Sequence, residues 1–175
     1  TLQNNTKRSY SGKKLYAEVN SFNAVPTAAG FASSASGFAA LAAATQKALQ
    51  LNLSDEELSR FTRRGSGSAC RSIYGGFVEW KMGEKEDGSD SFAVQIAPQD
   101  HWDIRVAAVV VTAKEKDVSS RVGMKRTVDT SVFYDGWLNS VGDDLANIKE
   151  AIIEKDFEKV GSIAEANCLK MHATT

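Results

Sequence analysis

Cysteine is scarce in this chain: Cys70 and Cys168 are the only two in 175 residues. Their separation matches neither a metal-ligand spacing nor a disulfide framework. They read as reduced thiols of a cytoplasmic protein. A bilayer-length apolar run is also missing. The longest, Val106 to Val111, is far too short to span a membrane, and no charged-then-apolar leader opens the sequence. Neither sign of charge dominates. A net charge of −1 and a pI near 6.1 argue against general nucleic-acid binding, which usually needs a basic surface. Histidine occurs twice, and neither copy has a catalytic partner in sequence. His172, near a helix C-terminus, reads as a dipole-matched or packed residue; His101 sits beside Trp102 in a predicted turn. Trp80, Trp102 and Trp137 read as core or edge aromatics and form no stacking ladder for nucleic acid. Internal repeats, low-complexity stretches and a Walker A loop are absent as well. What remains, with 42% hydrophobic and 25% charged residues, is the composition of a soluble globular domain.

The most informative segment is Pro26-Thr27-Ala28-Ala29-Gly30-Phe31-Ala32-Ser33-Ser34-Ala35-Ser36-Gly37. It is a small-residue loop running straight into an alanine-rich helix. Unpaired N–H groups and the helix dipole make such a junction attractive to anions. Small side chains let a phosphate approach the backbone, and Ser33, Ser34 and Ser36 offer hydroxyl donors or a Mg²⁺ ligand. The same residues also suit a plain serine N-cap on a buried helix. A second loop, Gly65-Ser66-Gly67-Ser68-Ala69-Cys70-Arg71-Ser72, is closed by an arginine, and Arg60, Arg63 and Arg64 sit just before it. Two phosphate-friendly loops suggest a site that handles more than one phosphorylated group.

Along the chain, Leu15 to Val19 alternates as a strand does. A helix is predicted from about Ser33 to Leu49, with Ala35, Phe38, Ala39, Leu41, Ala42 and Leu49 on its apolar face. Ser54-Asp55-Glu56-Glu57 is a capping box that opens a short helix ending before Gly65. Ile73 to Met82 and Ser91 to Ala97 read as a hairpin around the acidic Gly83 to Asp90 turn. Arg105 to Thr112 is the most β-branched stretch and reads as a central strand. Beyond Lys114 the pattern turns helical, near Met124 to Ser131, Phe133 to Glu154 and Phe157 to Met171, with Asp156 able to cap the last. The switch near residue 120 marks the expected boundary between residues 1–120 and 121–175, in an α+β protein of two lobes with a cleft between them.

Residues Pro26 to Gly37 resemble the phosphate loop of the GHMP kinase superfamily, whose pattern is Pro, three residues, then Gly-Leu-Gly-Ser-Ser-Ala. Here Phe31 replaces the leucine and Ala32 the second glycine. That alanine, with the Gly65 to Ser72 run, is similar to the diphosphomevalonate decarboxylase family. Ser72-Ile73-Tyr74-Gly75-Gly76-Phe77, Val118 to Met124 and Met171 to Thr174 agree in order and spacing. Tyr134-Asp135-Gly136-Trp137-Leu138 resembles its bacterial branch. The resemblance implies an incomplete GHMP kinase-like two-lobed α+β fold: much of the N-terminal lobe plus the helical start of the C-terminal lobe. The family's Ile-Lys-Tyr-Trp-Gly-Lys and Asp-Ala-Gly-Pro-Asn motifs do not occur. The catalytic aspartate of the second is therefore expected outside these residues, and the 175 residues alone are expected to be inactive.

The implied activity is ATP- and Mg²⁺-dependent decarboxylation of mevalonate 5-diphosphate to isopentenyl diphosphate, by a cytoplasmic homodimer that binds neither nucleic acid nor membrane. On this resemblance Ala29, Gly30, Ala32, Ser33 and Ser34 wrap the ATP phosphates, with Ser33 or Ser34 near the transferred group and Ser34 preferred. Lys116 reaches the same phosphates. Ser66 and Ser68 hold the substrate's diphosphate, Ser120 and Arg121 close on it, and Arg71 grips the carboxylate side. No protein side chains are implied as a metal site. Two alternatives stay open: a related kinase that phosphorylates without releasing carbon dioxide, and a fragment that binds nucleotide or anions without catalysis. For Arg71 the alternative role is an ion pair with a nearby acid such as Glu79.

Overall fold

The computed structural model describes residues 16–24, 32–109 and 118–175. Five α-helices, one 3-10 helix and two strands are present among them: α1 (Ser33–Ala48), α2 (Asp55–Thr62), the 3-10 helix (Gly67–Ile73), β1 (Phe77–Trp80), β2 (Ala93–Ala97), α3 (Ser120–Thr130), α4 (Tyr134–Glu154) and α5 (Phe157–His172).

Local chemistry sets most of these boundaries. At α2 the expected capping box is complete: Glu57 N donates to Ser54 Oγ at 3.2 Å, and Ser54 N donates to Glu57 Oε2 at 2.9 Å. Two otherwise orphaned donors are thereby satisfied. Asp156 caps α5, its Oδ1 accepting from Lys159 N at 3.0 Å. Lys155, left-handed at φ 58°, reverses the chain between α4 and α5. The two helices then lie side by side, joined by Lys170 Nζ to Asp144 Oδ2 at 2.6 Å and by Asn167 Nδ2 to the same oxygen at 2.7 Å.

β1 and β2 form an antiparallel hairpin, pairing Glu79 with Val94 and Trp80 with Ala93. Two arginines hold its turn. Arg60 Nη1 donates to the Ser89 carbonyl at 2.8 Å; Arg63 donates to the Ser91 carbonyl through Nε at 2.8 Å and to the Gly88 carbonyl through Nη2 at 2.6 Å. These side chains therefore serve the hairpin and are not available beside the glycine/serine loop, where the sequence had put them.

The buried centre lies between α1, α2, the 3-10 helix and β2, with Ala35, Ala39, Leu58, Ala69, Cys70 and Ala93 in it. Ser59 joins three of these elements. Its hydroxyl donates to the Cys70 carbonyl at 3.2 Å and accepts from Ala93 N at 2.8 Å. On the other side of the hairpin, Phe77 stacks with Trp102, and Phe157 meets the Trp102 edge. His101 has a partner that its sequence neighbours do not reveal: Nε2 donates to the Ile152 carbonyl of α4 at 2.8 Å.

Two predicted strands are not formed over the residues described. Residues 16–19 and 105–109 have no regular structure, and Val19, Val106 and Val109 are exposed. A strand gains its hydrogen bonds only from a neighbour, and among the described residues β1 and β2 pair only with each other. Leu15 and residues 110–112 lie outside the described residues. The hairpin strands are shorter than predicted, while Gly67–Ile73 is a 3-10 helix where a loop was expected.

Candidate functional site

Helix α1 begins without a side-chain cap. Ala32, the residue before it, is left-handed at φ 52° and ψ 34°. That conformation is unfavourable for a residue with a Cβ. A left-handed residue followed by helical ones turns successive N–H groups to one side, as in an anion-binding nest. The serine N-cap allowed by the sequence is thus not what starts this helix. Ala29 and Gly30 lie outside the described residues, as does Lys116.

The two glycine/serine segments meet. Ser34 Oγ, in the first turn of α1, is 3.2 Å from Ser66 Oγ, at the start of the 3-10 helix. Aromatic packing allows this approach. A Cβ on Gly65 would clash with the Phe38 ring on α1, and one on Gly67 would lie 2.7 Å from Trp80 Cη2 on β1. Both glycines are needed where rings press against the loop. Ser68, half-buried, follows inside the 3-10 helix.

Arg71 lies near the end of the same helix and is exposed. Its Cζ sits 6.0 Å from the centre of the Trp80 ring. Glu79, the acid that the sequence offered as its alternative partner, is engaged elsewhere: Lys149 Nζ of α4 approaches Glu79 Oε2 at 3.1 Å. Among the described residues Arg71 forms no ion pair. Cys70, next to it, is fully buried, and burial pushes its thiol above the usual range.

Ser120 and Arg121 open α3, which Ser119 caps by accepting from Val122 N at 3.4 Å. No hydrogen bond or ion pair among the described residues ties α3 to the Ser34–Ser66–Arg71 group. Arg121 instead shares a shallow groove with Lys125 and Arg126 on its own helix. The structure thus joins Ser34 to Ser66, with Ser33 next to the one and Ser68 and Arg71 following the other along the 3-10 helix, and among the described residues no hydrogen bond or ion pair brings Ser120 or Arg121 to them. Trp80, which the sequence gave as a core or edge aromatic, adjoins the group. Only its spacing in a hairpin strand hints at that, because the contact to Arg71 depends on how the strand docks.

The donor set fits anions: a helix start whose N-cap, Ala32, supplies no side-chain cap, facing hydroxyls, and a cation that no acid among the described residues pairs with. Among the described residues no cluster of three or more His, Cys, Asp or Glu could hold a metal. The class this defines is an α+β protein with a candidate composite anion site. The model for the diphosphomevalonate decarboxylase-like N-terminal domain matches residues 2–93, and that for the mevalonate 5-diphosphate decarboxylase C-terminal domain matches 106–175. The chain belongs to the diphosphomevalonate decarboxylase family.

A curated relative, diphosphomevalonate decarboxylase of Ganoderma lucidum, is 48% identical over 157 residues, 89% of this chain and 39% of that protein. Among solved structures, one concerns the ATP binding mechanism, mediated by mevalonate diphosphate, of the mevalonate diphosphate decarboxylase from Enterococcus faecalis. It is 52% identical with TM-score 0.70, covering 86% of this chain and 45% of that one. Another, of MDDEF in complex with MVAPP, AMPPCP and magnesium, has the same identity and TM-score and covers 86% and 46%. The GHMP kinase-like fold expected from the sequence is the fold shared with these structures. The chain spans about two fifths of the length of the curated relatives it matches.

Proposed function

We propose that the protein carrying this chain converts mevalonate 5-diphosphate to isopentenyl diphosphate, consuming ATP with Mg²⁺. Its tertiary hydroxyl is phosphorylated; phosphate and carbon dioxide then leave. The observation that carries this reading is the Ser34–Ser66 contact at 3.2 Å, which joins two anion-friendly segments beside an uncompensated Arg71. One anion site would suit many proteins; two joined sites with a free guanidinium suit a reaction between two phosphorylated molecules, one of which is also a carboxylate.

When bound, ATP supplies the phosphoryl group and Mg²⁺ the positive charge that makes it transferable. The α1 start, with Ala32 and Ser33, would hold the nucleotide phosphates. Ser34 would donate a hydrogen bond where negative charge develops, so its contact strengthens toward the transition state. Ser66 and Ser68 would bind the substrate's diphosphate. Arg71 would grip the carboxylate with two parallel N–H donors, holding the bond to carbon in line with the departing phosphate. Ala29, Gly30 and Lys116 are assigned to the ATP side, and Ser120 and Arg121 to the diphosphate. That last assignment requires α3 to approach the group when substrate binds. The same reading takes the enzyme as a cytoplasmic homodimer; light scattering on the full-length protein tests the dimer. No helix among the described residues is long and apolar enough to cross a membrane.

Steady-state kinetics of Arg71→Lys in the full-length protein test the assignment. An ammonium keeps the charge and loses the fork, so turnover falls by roughly two orders of magnitude. The Michaelis constant for mevalonate 5-diphosphate moves less. Release of carbon dioxide from the wild type separates this reading from a kinase that only phosphorylates. If Arg71→Lys keeps its turnover, the role given to Arg71 fails.

A further inference from the structure

The unusual feature of Arg71 is what holds it. Functional arginines are often oriented by a carboxylate, which also cancels part of their charge. Here the neighbour is the Trp80 ring, 6.0 Å from Cζ. An indole face attracts a guanidinium without neutralising it. Adjacent residues on a strand project to opposite faces. Glu79 therefore points to α4 and pairs with Lys149 at 3.1 Å, while Trp80 points to the 3-10 helix. The one acid close in sequence is kept on the far side of the hairpin.

The ring itself is fixed. Trp80 Nε1 donates to Ser91 Oγ at 3.1 Å, and Ser91 Oγ donates to the Lys81 carbonyl at 3.1 Å. Ser91 is buried, and its carbonyl accepts from Arg63 Nε at 2.8 Å. The far edge of the indole abuts Gly67, where a Cβ would lie 2.7 Å from Cη2. Trp80 thus touches both the loop that carries Ser66 and Ser68 and the guanidinium that follows it.

Resting on the substrate role proposed above for Arg71, we propose that Trp80 is a positioning residue. Its indole face sets the plane of the Arg71 guanidinium while leaving the full positive charge for a carboxylate-bearing anion, and its Cη2 edge sets the place of the Gly67–Ser68 backbone. Trp80 acts on the substrate only through Arg71 and this loop.

The test is a double-mutant cycle in the full-length enzyme, reading kcat and both Michaelis constants. Trp80→Leu lowers kcat about tenfold. That lies between the few-fold worth of an exposed cation–π contact and the roughly hundredfold cost of a displaced reacting group. The Michaelis constant for ATP stays within about twofold, since Trp80 does not touch the α1 start. Trp80→Phe, which keeps a ring face, recovers most of the loss. Added to Arg71→Ala, Trp80→Leu costs nothing further in kcat, because the guanidinium it orients is gone; what it still costs through the loop falls on the Michaelis constant for mevalonate 5-diphosphate. Should the leucine variant not fold, Trp80→Met gives the same comparison. Losses in kcat that add in the double variant, or a phenylalanine variant as poor as the leucine one, overturn the proposal. If Arg71→Ala alone keeps full activity, the substrate role of Arg71 is what has failed, and the positioning role falls with it.

Discussion

Ser59→Ala removes one oxygen atom from the best-buried polar junction among the described residues. Ser59, Cys70 and Ala93 are each inaccessible to solvent. The hydroxyl accepts from Ala93 N at 2.8 Å and donates to the Cys70 carbonyl at 3.2 Å. Alanine leaves the Ala93 N–H with no acceptor in a dry site, at a cost of about 1–3 kcal/mol. The carbonyl suffers less, because under-satisfied C=O groups are better tolerated than orphaned N–H groups. The sum is about 2–3 kcal/mol. At roughly 2–4 °C per kcal/mol for a protein of this size, Tm falls by about 4–12 °C. Urea unfolding of Ser59→Ala, beside the exposed control Ser162→Ala, measures the difference. A change below about 0.5 kcal/mol, the range of ordinary surface substitutions, would refute the argument that this hydroxyl joins α2, the 3-10 helix and β2. A second readout is local. Cys70 adjoins the junction, so its modification by a thiol reagent accelerates in the variant, while that of exposed Cys168 does not.

In the full-length enzyme, Ser34→Ala lowers turnover by about 10²-fold, as for loss of one donor to developing charge, and weakens ATP binding far less. Unchanged turnover, with the defect in Ser33→Ala instead, assigns that role to the other serine. In the unmodified protein at neutral pH, thiol titration gives one fast and one slow group, Cys168 then Cys70, because burial both shields the Cys70 thiol and raises its pKa. Hydrogen bonds from Lys170 and Asn167 hold the Asp144 carboxyl below the usual range. A lowered folded-state pKa contributes stability that is present above the unfolded value, near 3.8, and lost as pH falls through the folded one. Asp144→Asn therefore flattens the acid limb of the stability curve below about pH 4, and an unchanged acid limb would count against this pairing of α4 with α5.

The elements legible in the sequence are those whose ends are written locally. The Ser54–Glu57 box and the Asp156 cap set their helix starts to within a residue or two, and the acidic turn announced the hairpin. Elements that depend on distant partners were not legible. The β-branched Arg105 to Thr112 stretch has strand chemistry, but among the described residues no strand lies beside it to complete the bonds. Arg60 and Arg63 stand close in sequence to the glycine/serine loop, yet carbonyls 25 to 29 residues away claim them. At the site, the serines and Arg71 could be named from the family resemblance. That Ser34 and Ser66, 32 residues apart, face each other could not. Nor could the exclusion of Glu79, which depends on a lysine 70 residues further along.

The glycines of the second loop carry a further consequence. In the sequence they make part of a phosphate-friendly loop. In the structure the room at Gly65 and Gly67 belongs to the Phe38 and Trp80 rings. Backbone approach at those two positions is therefore not what the loop offers an anion. Its accessible chemistry is the Ser66 hydroxyl, the half-buried Ser68 and the Arg71 guanidinium. The α1 start is the opposite case, an uncapped helix whose attraction lies in N–H groups and dipole. On the proposed function, two sites built this differently do not compete for one ligand. Converging N–H groups at a helix start suit a phosphate chain lying against the backbone. Hydroxyls followed by a planar cation suit an anion whose two ends differ, one a diphosphate and the other a carboxylate. The 3.2 Å contact between Ser34 and Ser66 is where the two kinds of site touch. In the proposed reaction, that seam is where the phosphoryl group passes from one bound molecule to the other.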